Sequence, residues 1–313
     1  MPQDLHILPR IRDSWSYVYC EHARIDQDAK AIAIHDATGK TLLPCAQLHL
    51  LLLGPGTSIT HAAVRVLMES GCSIVWTGEQ GVRCYAQGMG ETRSAQRFLH
   101  QARLWADADA HLGVVRAMYQ MRFPDPLEPS LTLQQIRGKE GIRVRNAYAH
   151  LSEAYGVVWH GRNYQRDHWD WADPVNRALS AANACMYGVC HAAIVAAGYS
   201  PALGFIHTGK LLSFVYDVAD LYKMEIATPA AFAAVAAGTE LLERRVRQAC
   251  REKFKEEKLL ARIVSDLDRL LTASDEIFDS YSVDSALPGY LWDPDGTTIL
   301  GGVNFDNEEE VAQ

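Results

Sequence analysis

The chain has 313 residues, of which 48% are hydrophobic and 22% are charged. These values are typical of globular proteins and exclude a wholly disordered chain, a collagen and a mucin-like stalk. The length predicts about two domains. The longest uninterrupted aliphatic runs, such as Leu50–Leu53, are far shorter than the ~18 apolar residues that a membrane span needs. The formal net charge of −8 argues by itself against a nucleic-acid partner.

The charge is distributed unevenly along the chain. Residues 263–313 contain twelve acidic side chains and one basic side chain, Arg269, whereas residues 1–262 have a small excess of basic over acidic side chains. A mildly basic body can bind phosphate groups where its cations cluster. The net charge therefore does not exclude nucleic acid as a partner.

The cysteines and the N-terminus predict a cytoplasmic protein. The seven cysteines are odd in number, scattered, and form no CxxC pair, which indicates reduced thiols and no cysteine-based zinc site. Residues 1–5 do not form a basic segment followed by an apolar stretch, so we expect no secretory signal. We therefore expect a cytoplasmic location and no membrane partner.

Residues 1–88 are predicted to form a β-rich N-terminal domain. Short segments rich in β-branched, aromatic or aliphatic residues predict strands at residues 16–20, 30–35, 40–43, 47–53, 73–77 and 82–86. The polar residues 26–28 and 36–39 are expected to form turns. Residues 57–60 are expected to cap a helix over residues 61–70, which Gly71 ends.

A larger helical domain is predicted over residues 94–275, after a linker at residues 89–93. The hydrophobic period changes to 3.6 there, and the expected helices cover residues 94–122, 131–155, 175–197, 213–226 and 239–273. Residues 276–313 are predicted to be an acidic, mobile tail. The predicted fold class is α+β: an N-terminal β-sheet domain followed by a larger all-α catalytic domain.

The helix predicted over residues 131–155 carries an acidic residue within its apolar face. Spacings of three and four residues place six side chains on one face: Leu133, Ile136, Glu140, Val144, Ala147 and Leu151. A carboxylate at such a position must be paired, hydrogen-bonded or bound to a metal. Gly138 and Gly141 flank Glu140, and two helical glycines suggest close approach by another backbone or a ligand.

Basic residues surround Glu140 on the neighbouring helix faces. They are Arg137, Lys139, Arg143 and Arg145. A metal site and a buried Glu–Arg pair are both compatible with this pattern.

A second set of metal-ligating residue types lies between residues 204 and 220. Ser213 is the expected N-cap of a helix on which Asp217 and Asp220, three residues apart, share a face. His207 precedes this helix in a glycine-bounded connection. One Glu, one His and one or two Asp on facing helices suit Mg²⁺ or Mn²⁺, and basic neighbours point to a phosphodiester substrate. A solvated acidic face is the alternative for the two aspartates.

Two further segments contain residue types that suit nucleic acid. One can stack single-stranded bases through Tyr164, Arg166, Trp169, Trp171 and Tyr187. The other, residues 244–262, has eight basic and three acidic side chains and can follow a phosphate backbone. Ordinary core packing is the alternative for the first segment, and a solvated helix face is the alternative for the second.

Four stretches together resemble the CRISPR adaptation integrase family, specifically its type I-E branch. They are GPGTSITHAAVR at residues 54–65, GVRCYAQG at 81–88, QQIRGKEGIRVRNAYA at 134–149 and AAGYSPALGFIHTGKLLSFVYDVADLYK at 196–223. The resemblance implies a β-sheet domain joined to an α-helical catalytic domain, in a homodimer. It also implies metal-dependent DNA endonuclease and integrase activity.

The resemblance also implies roles for individual residues. Glu140, His207 and Asp220 are the expected ligands of Mg²⁺ or Mn²⁺, and Asp217 is the expected supporting catalytic residue. Expected DNA contacts are Arg83, Arg137 and Lys210 on phosphates and His22 on the end of the duplex, together with Tyr164, Trp169, Tyr187, Arg244, Arg245 and Arg247 from the two segments described above.

The implied reaction inserts a short foreign DNA fragment, the protospacer, into a CRISPR repeat array. The 3′-OH of the fragment attacks a phosphodiester at the edge of a repeat, so that one transesterification cuts and joins the strand. The expected partners are this DNA, a second copy of the chain and the small ferredoxin-like second protein of the adaptation complex. A structure-specific DNA nuclease acting in repair without integration and a non-catalytic nucleic-acid scaffold are the alternatives.

Overall fold

The computed structural model describes residues 17–79, 84–89, 95–162 and 173–271, and the backbone of two short strands near the C-terminus. The predicted α+β fold class is confirmed, because a β-rich N-terminal region is followed by a larger helical region. Most of the predicted linker and tail lie outside the described residues. Within the tail, an antiparallel strand pair is described at Tyr290–Trp292 and Thr298–Leu300.

The N-terminal region contains two four-stranded sheets. The order in the first sheet is β1 (Tyr17–Cys20), β5 (Leu50–Leu53), β7 (Ser73–Thr77) and β8 (Cys84–Gly88), and in the second sheet it is β4 (Gly39–Pro44), β3 (Ala31–Asp36), β2 (Arg24–Asp28) and β6 (Ser58–Ile59). In the first sheet β1, β5 and β7 are parallel, and β8 is antiparallel to β7. Helix α1 (His61–Glu69) begins after Thr60, whose hydroxyl accepts from the Ala63 amide.

Strand β2 corrects a predicted turn. Residues 26–28 were expected to form a turn because they are polar, but they pair with β3, with Asp26 opposite Ala33. Ile25 is fully buried, whereas residues 26–28 are only partly buried. Because β2 has few apolar side chains, its composition resembles a turn although its backbone is part of the sheet.

Strand β5 connects the two hydrophobic cores. Leu51 and Leu53 lie in the core of the N-terminal region, whereas Leu50 and Leu52 lie in the core of the helical region. Successive side chains of a strand point to opposite faces of its sheet, so a run of four leucines is what a strand buried on both faces requires. The first sheet therefore packs directly against the helices.

The helical region contains eight described helices arranged around α5. They are α2 (Gln96–Ala106), α3 (Ala108–Gln120), α4 (Leu133–Tyr155), α5 (Pro174–Ala196), α6 (Ser213–Tyr222), α7 (Thr228–Ala236), α8 (Leu242–Glu256) and α9 (Leu259–Leu270). Helix α5 packs against α6, α7, α8 and α9. It is long and apolar enough to cross a membrane by length and composition, but 67% of its most apolar window is buried inside the molecule.

Three predicted helices are divided in the structure. The helix expected at residues 94–122 breaks at Asp107, whose carboxylate accepts from the Ala110 amide at 2.8 Å and caps α3. The helix expected at residues 239–273 breaks at Lys258, where the backbone is left-handed with φ +46°. The helix expected at residues 213–226 ends earlier, and a π-helical turn over Lys223–Ala227 leads directly into α7. The apolar pattern of the sequence continues across these positions, so it did not predict where the helices end.

Candidate metal centre

Helix α4 presents Glu140 from the predicted face. Thr132 and Gln135 form a capping box that starts the helix, and Gly156, left-handed with φ +63°, ends it. Ile136 is fully buried, and the other members of the predicted face are partly buried. The Glu140 side chain is 16% exposed. The predicted helix face is therefore confirmed, with a carboxylate at the edge of the core.

The surface beside Gly138 and Gly141 is open. No described atom lies within 4 Å of a Cβ built at either glycine. The suggestion that another backbone approaches here is therefore wrong for the part of the chain that the structure describes. The glycines instead leave an exposed, small-residue surface next to Glu140.

Glu140 and Asp220 converge on one cation, Arg122. The Arg122 Nη1 atom lies 3.6 Å from Glu140 Oε1 and 3.7 Å from Asp220 Oδ2. The two carboxylates come from α4 and α6, which are distant in sequence. Two carboxylates sharing one buried positive charge form an arrangement that a hard divalent cation also satisfies.

Each of these carboxylates has a second basic partner. Arg143 donates from Nε and Nη2 to the two oxygens of Glu140, at 2.8 and 3.0 Å. Lys223 donates to Asp220 at 2.6 Å and to the Tyr187 hydroxyl at 2.9 Å. The buried Glu–Arg pair, the alternative for Glu140, is therefore present, and it coexists with the convergence on Asp220.

Lys223 stays charged although most of its side chain is shielded from solvent. Burial alone would lower the pKa of Lys223, but the Asp220 carboxylate and the Tyr187 hydroxyl outweigh it and raise the pKa above its usual value. A charged Lys223 therefore compensates the Asp220 carboxylate, whose side chain is 25% exposed.

Asp217 is fully buried and organises the segment that carries His207. Its Oδ2 atom accepts from the amides of Phe205 and Ile206, at 2.6 and 3.0 Å, and its Oδ1 atom accepts from the His207 amide at 2.8 Å. The His207 Nδ1 atom lies 2.7 Å from the same Oδ1. Both carboxylate oxygens are occupied by these donors, so Asp217 acts as a positioning residue and its oxygens do not face a ligand. The solvated acidic face is therefore wrong for Asp217.

The contact with Asp217 fixes the orientation of the His207 ring. A carboxylate only accepts, so it favours the tautomer with the proton on Nδ1 and leaves Nε2 as the free acceptor. The His207 side chain is 44% exposed. A histidine whose Nδ1–H is held by a carboxylate is a common arrangement behind a metal-binding Nε2.

An aromatic pair connects His207 with Asp220. The His207 ring lies 5.9 Å from the Tyr216 ring, and the Tyr216 ring lies 5.0 Å from the Tyr187 ring. Tyr187 in turn accepts from Lys223, the partner of Asp220. Tyr187 is therefore partly buried within the site, and its expected contact with DNA stays a prediction.

The donor set of one imidazole and two carboxylates fits Mg²⁺ or Mn²⁺. Glu140 and Asp220 already share a cation, and the tautomer that Asp217 favours leaves a lone pair on His207 Nε2 for ligation. In the described part of the chain, however, no three His, Cys, Asp or Glu side chains stand close enough together to hold a metal. The three-ligand centre therefore stays a prediction that two converging carboxylates support.

Gly204 allows the connection before α6 to fold back on itself. A Cβ at this position would collide with the backbone oxygen of His207 and would lie 2.7 Å from the carbonyl carbon of Ser213. Ser213, the predicted N-cap, is instead the first helical residue, and its hydroxyl accepts from the Lys210 amide at 3.1 Å. The preceding residue, Leu212, provides no side-chain cap.

Gly204→Ala is expected to destabilise the protein, because the colliding atoms are backbone and cannot rotate away. We expect a loss of about 1–3 kcal/mol in the free energy of unfolding, the range for overpacking a tight site. Gly138→Ala is the matched control, because its Cβ meets open space within a helix and Ala is a better helix former by about 1 kcal/mol. Urea unfolding of both variants measures the difference, and equal midpoints would contradict the account.

The expected DNA-binding residues differ in their surroundings. Arg137 and Lys210 are exposed, as predicted for phosphate contacts. His22 is left-handed with φ +50°, and its amide donates to the Pro55 carbonyl at 2.9 Å. Three expected residues lie outside the described part of the chain, together with two of their aromatic and basic neighbours: Arg83, Tyr164, Trp169, Arg166 and Trp171.

The basic helix α8 uses its first arginines in different ways. Arg244 is exposed. Arg245 donates to the carbonyls of Ala234 and Gly238, at 2.6 and 2.9 Å, and so caps the end of α7. Arg247 pairs with Glu79 of the N-terminal region at 3.5 Å. Two of these three cations thus serve structural contacts, and phosphate binding by α8 stays a prediction.

Arg244→Ala and Arg245→Ala are expected to separate these roles. Arg244→Ala should weaken DNA binding and reduce its salt dependence, because an exposed cation acts through phosphate contacts, and should leave stability unchanged. Arg245→Ala should cost roughly 1 kcal/mol of stability through lost hydrogen bonds and change DNA affinity less. Salt titrations of DNA binding, together with urea unfolding, test both variants, and the reverse assignment would contradict the structure.

Comparisons with known proteins identify the family to which the chain belongs. The family model for CRISPR associated protein Cas1 matches residues 16–125 and 122–250. The chain is 54% identical over 309 residues to CRISPR-associated endonuclease Cas1 2 of Thermus thermophilus, covering 98% of this chain and 95% of that protein. It is 42% identical over 266 residues to CRISPR-associated endonuclease Cas1 of Escherichia coli, covering 85% and 87%.

Solved structures of similar proteins share the fold. A crystal structure of a TtCas1–DNA complex superposes with a TM-score of 0.78 at 58% identity, covering 85% of this chain and 100% of that one. A casposase bound to its integration product superposes with a TM-score of 0.55 at 12% identity, covering 84% and 96%, which shows the fold alone. The family model covers most of the chain and the two curated relatives match 98% and 85% of it, so this chain belongs to the Cas1 family.

Proposed function

We propose that this chain is a metal-dependent DNA endonuclease and integrase of the type I-E branch, which inserts protospacer DNA into a CRISPR repeat array. The observation that carries the proposal is the convergence of Glu140 and Asp220 on one buried positive charge. The names of the curated relatives, which are CRISPR-associated endonucleases, support DNA cutting. The solved complex of a relative with DNA supports DNA as the substrate.

The metal would be held by Glu140, Asp220 and the Nε2 atom of His207. When bound, a divalent ion polarises a phosphoryl oxygen and stabilises the charge that develops on the attacking and leaving oxygens. Asp217 keeps His207 in the tautomer that ligation requires. Lys223 donates to Asp220 at 2.6 Å, so its positive charge compensates that carboxylate.

The basic surface would bind and orient the DNA. Arg137 lies one helical turn from Glu140 on the exposed side of α4, and Lys210 follows His207 by three residues. Both can contact phosphates next to the reacting one, so the 3′-OH and the target phosphodiester are held in line. Transfer of both strands requires two reacting sites, so we propose a homodimer that works with the small ferredoxin-like protein in the cytoplasm.

A strand-transfer assay tests this function. Labelled DNA with a free 3′-OH is incubated with a supercoiled repeat-bearing plasmid, the ferredoxin-like partner and Mn²⁺ or Mg²⁺. We expect covalent joint molecules that disappear with EDTA and return when the metal is restored. Cutting without joining would favour the repair nuclease, and joining that persists in EDTA would contradict metal dependence.

A further inference from the structure

Arg122 is a buried cation at the end of α3. Its amide donates to the Tyr119 carbonyl at 2.9 Å, just past the last helical residue. Its side chain is only 5% exposed, and its guanidinium carbon lies 5.1 Å from the centre of the Tyr119 ring. A charge this deeply buried needs compensation from the groups around it.

The polar surroundings of this guanidinium are sparse. Its Nη1 atom faces Glu140 and Asp220 at ion-pair distance but beyond a hydrogen bond. Its Nε and Nη2 atoms are buried and have no hydrogen-bond partner among the described residues. Buried donors without acceptors are costly, so the attraction of the two carboxylates is what holds Arg122 in this position.

Arg122 is also the most weakly anchored of the three cations at the carboxylates. Arg143 makes two hydrogen bonds to Glu140, and Lys223 makes one to Asp220. Two carboxylates thus face three positive charges before any metal arrives. A divalent ion that binds the same carboxylates adds two further positive charges. At distances of a few ångströms, the repulsion between the ion and the three cations is strong. The cation without hydrogen bonds is the one that the ion displaces most easily.

We propose that Arg122 competes with the divalent ion for Glu140 and Asp220. In the metal-free protein Arg122 is ion-paired with both carboxylates. When the ion binds, the guanidinium moves away from them. Its role is that of a positioning residue that also sets the affinity for the metal. This inference rests on the metal site of the proposed function.

Mn²⁺ binding without DNA tests the competition independently of activity. Free Mn²⁺ is measured by electron paramagnetic resonance during titration of the wild-type protein, Arg122→Gln and Arg145→Gln. We expect Arg122→Gln to bind Mn²⁺ roughly tenfold more tightly. A neighbouring charge within ~4–6 Å changes the equilibrium constant of an ionisable group by at least about this factor. Arg145→Gln removes a charge from the exposed side of α4 and should match the wild type. Unchanged or weaker binding by Arg122→Gln would overturn the proposal.

Crystals of the unaltered protein, grown with and without Mn²⁺, provide a test that does not depend on a variant folding. We expect Arg122 Nη1 to move beyond about 4 Å, the limit of an ion pair, from at least one carboxylate when Mn²⁺ is bound. Mn²⁺ on both carboxylates with Arg122 still paired to both would overturn this inference and leave the proposed metal site intact. No Mn²⁺ at either carboxylate would overturn the metal site and this inference with it.

Discussion

Glu140→Gln is expected to reduce DNA cutting and joining severely while the protein still folds and binds DNA. The amide keeps the size of the side chain and can still accept from Arg143, but it removes the negative charge that Glu140 shares with Asp220 around Arg122. A divalent ion prefers charged oxygen ligands. We expect joining to fall by roughly 10³-fold, the scale on which removing one group that stabilises transition-state charge acts.

Glu153→Gln is the matched control for this variant. Glu153 lies on the same helix but is exposed, so the same chemical change should leave joining and stability at the wild-type level. DNA affinity of Glu140→Gln should also stay close to wild type, because phosphate contacts come mostly from basic side chains. Wild-type joining by Glu140→Gln would show that Glu140 is not a ligand of the metal.

Asp217→Asn is expected to damage both stability and activity. The buried carboxylate accepts from three backbone amides and faces His207 Nδ1. An asparagine offers one accepting oxygen and turns an NH₂ group toward the remaining donors. We expect a loss of about 2–3 kcal/mol in the free energy of unfolding, because hydrogen bonds to a charged group are involved, and at least a roughly 10²-fold loss of joining through the misplaced histidine.

Urea unfolding and strand-transfer assays on Asp217→Asn measure these two losses. Asp125→Asn serves as the control, because Asp125 is exposed in the connection before α4 and should change neither quantity. A variant that unfolds earlier but joins DNA normally would show that Asp217 supports the fold without positioning His207. Normal stability together with normal joining would contradict the geometry altogether.

The features that local pattern controls were predictable from the sequence. The 3.6-residue period placed Glu140 on the buried face of α4, and the structure confirms that face. The proximity of His207 and Asp217 followed from their short separation along the chain, and they are in contact. The role of Asp217 could be seen only in the structure. Its partners are backbone amides, and a sequence pattern of side chains does not reveal them.

The features that depend on long-range packing were not predictable. Arg122 follows the end of a helix and has no pattern that connects it with Glu140 or Asp220. Arg245 looks like any other cation of a basic helix, although it caps α7. Lys223 offered a signal that was missed, since it lies three residues after Asp220 on the continuing helical path and therefore on the same side.

The most direct test of the account is a crystal soaked with Mn²⁺ and measured at a wavelength where manganese scatters anomalously. We predict one anomalous peak that is ligated by Glu140, Asp220 and the Nε2 atom of His207, with Asp217 still holding Nδ1. A peak that lacks any one of these three ligands, or a bound Mn²⁺ elsewhere with none at this position, would contradict it.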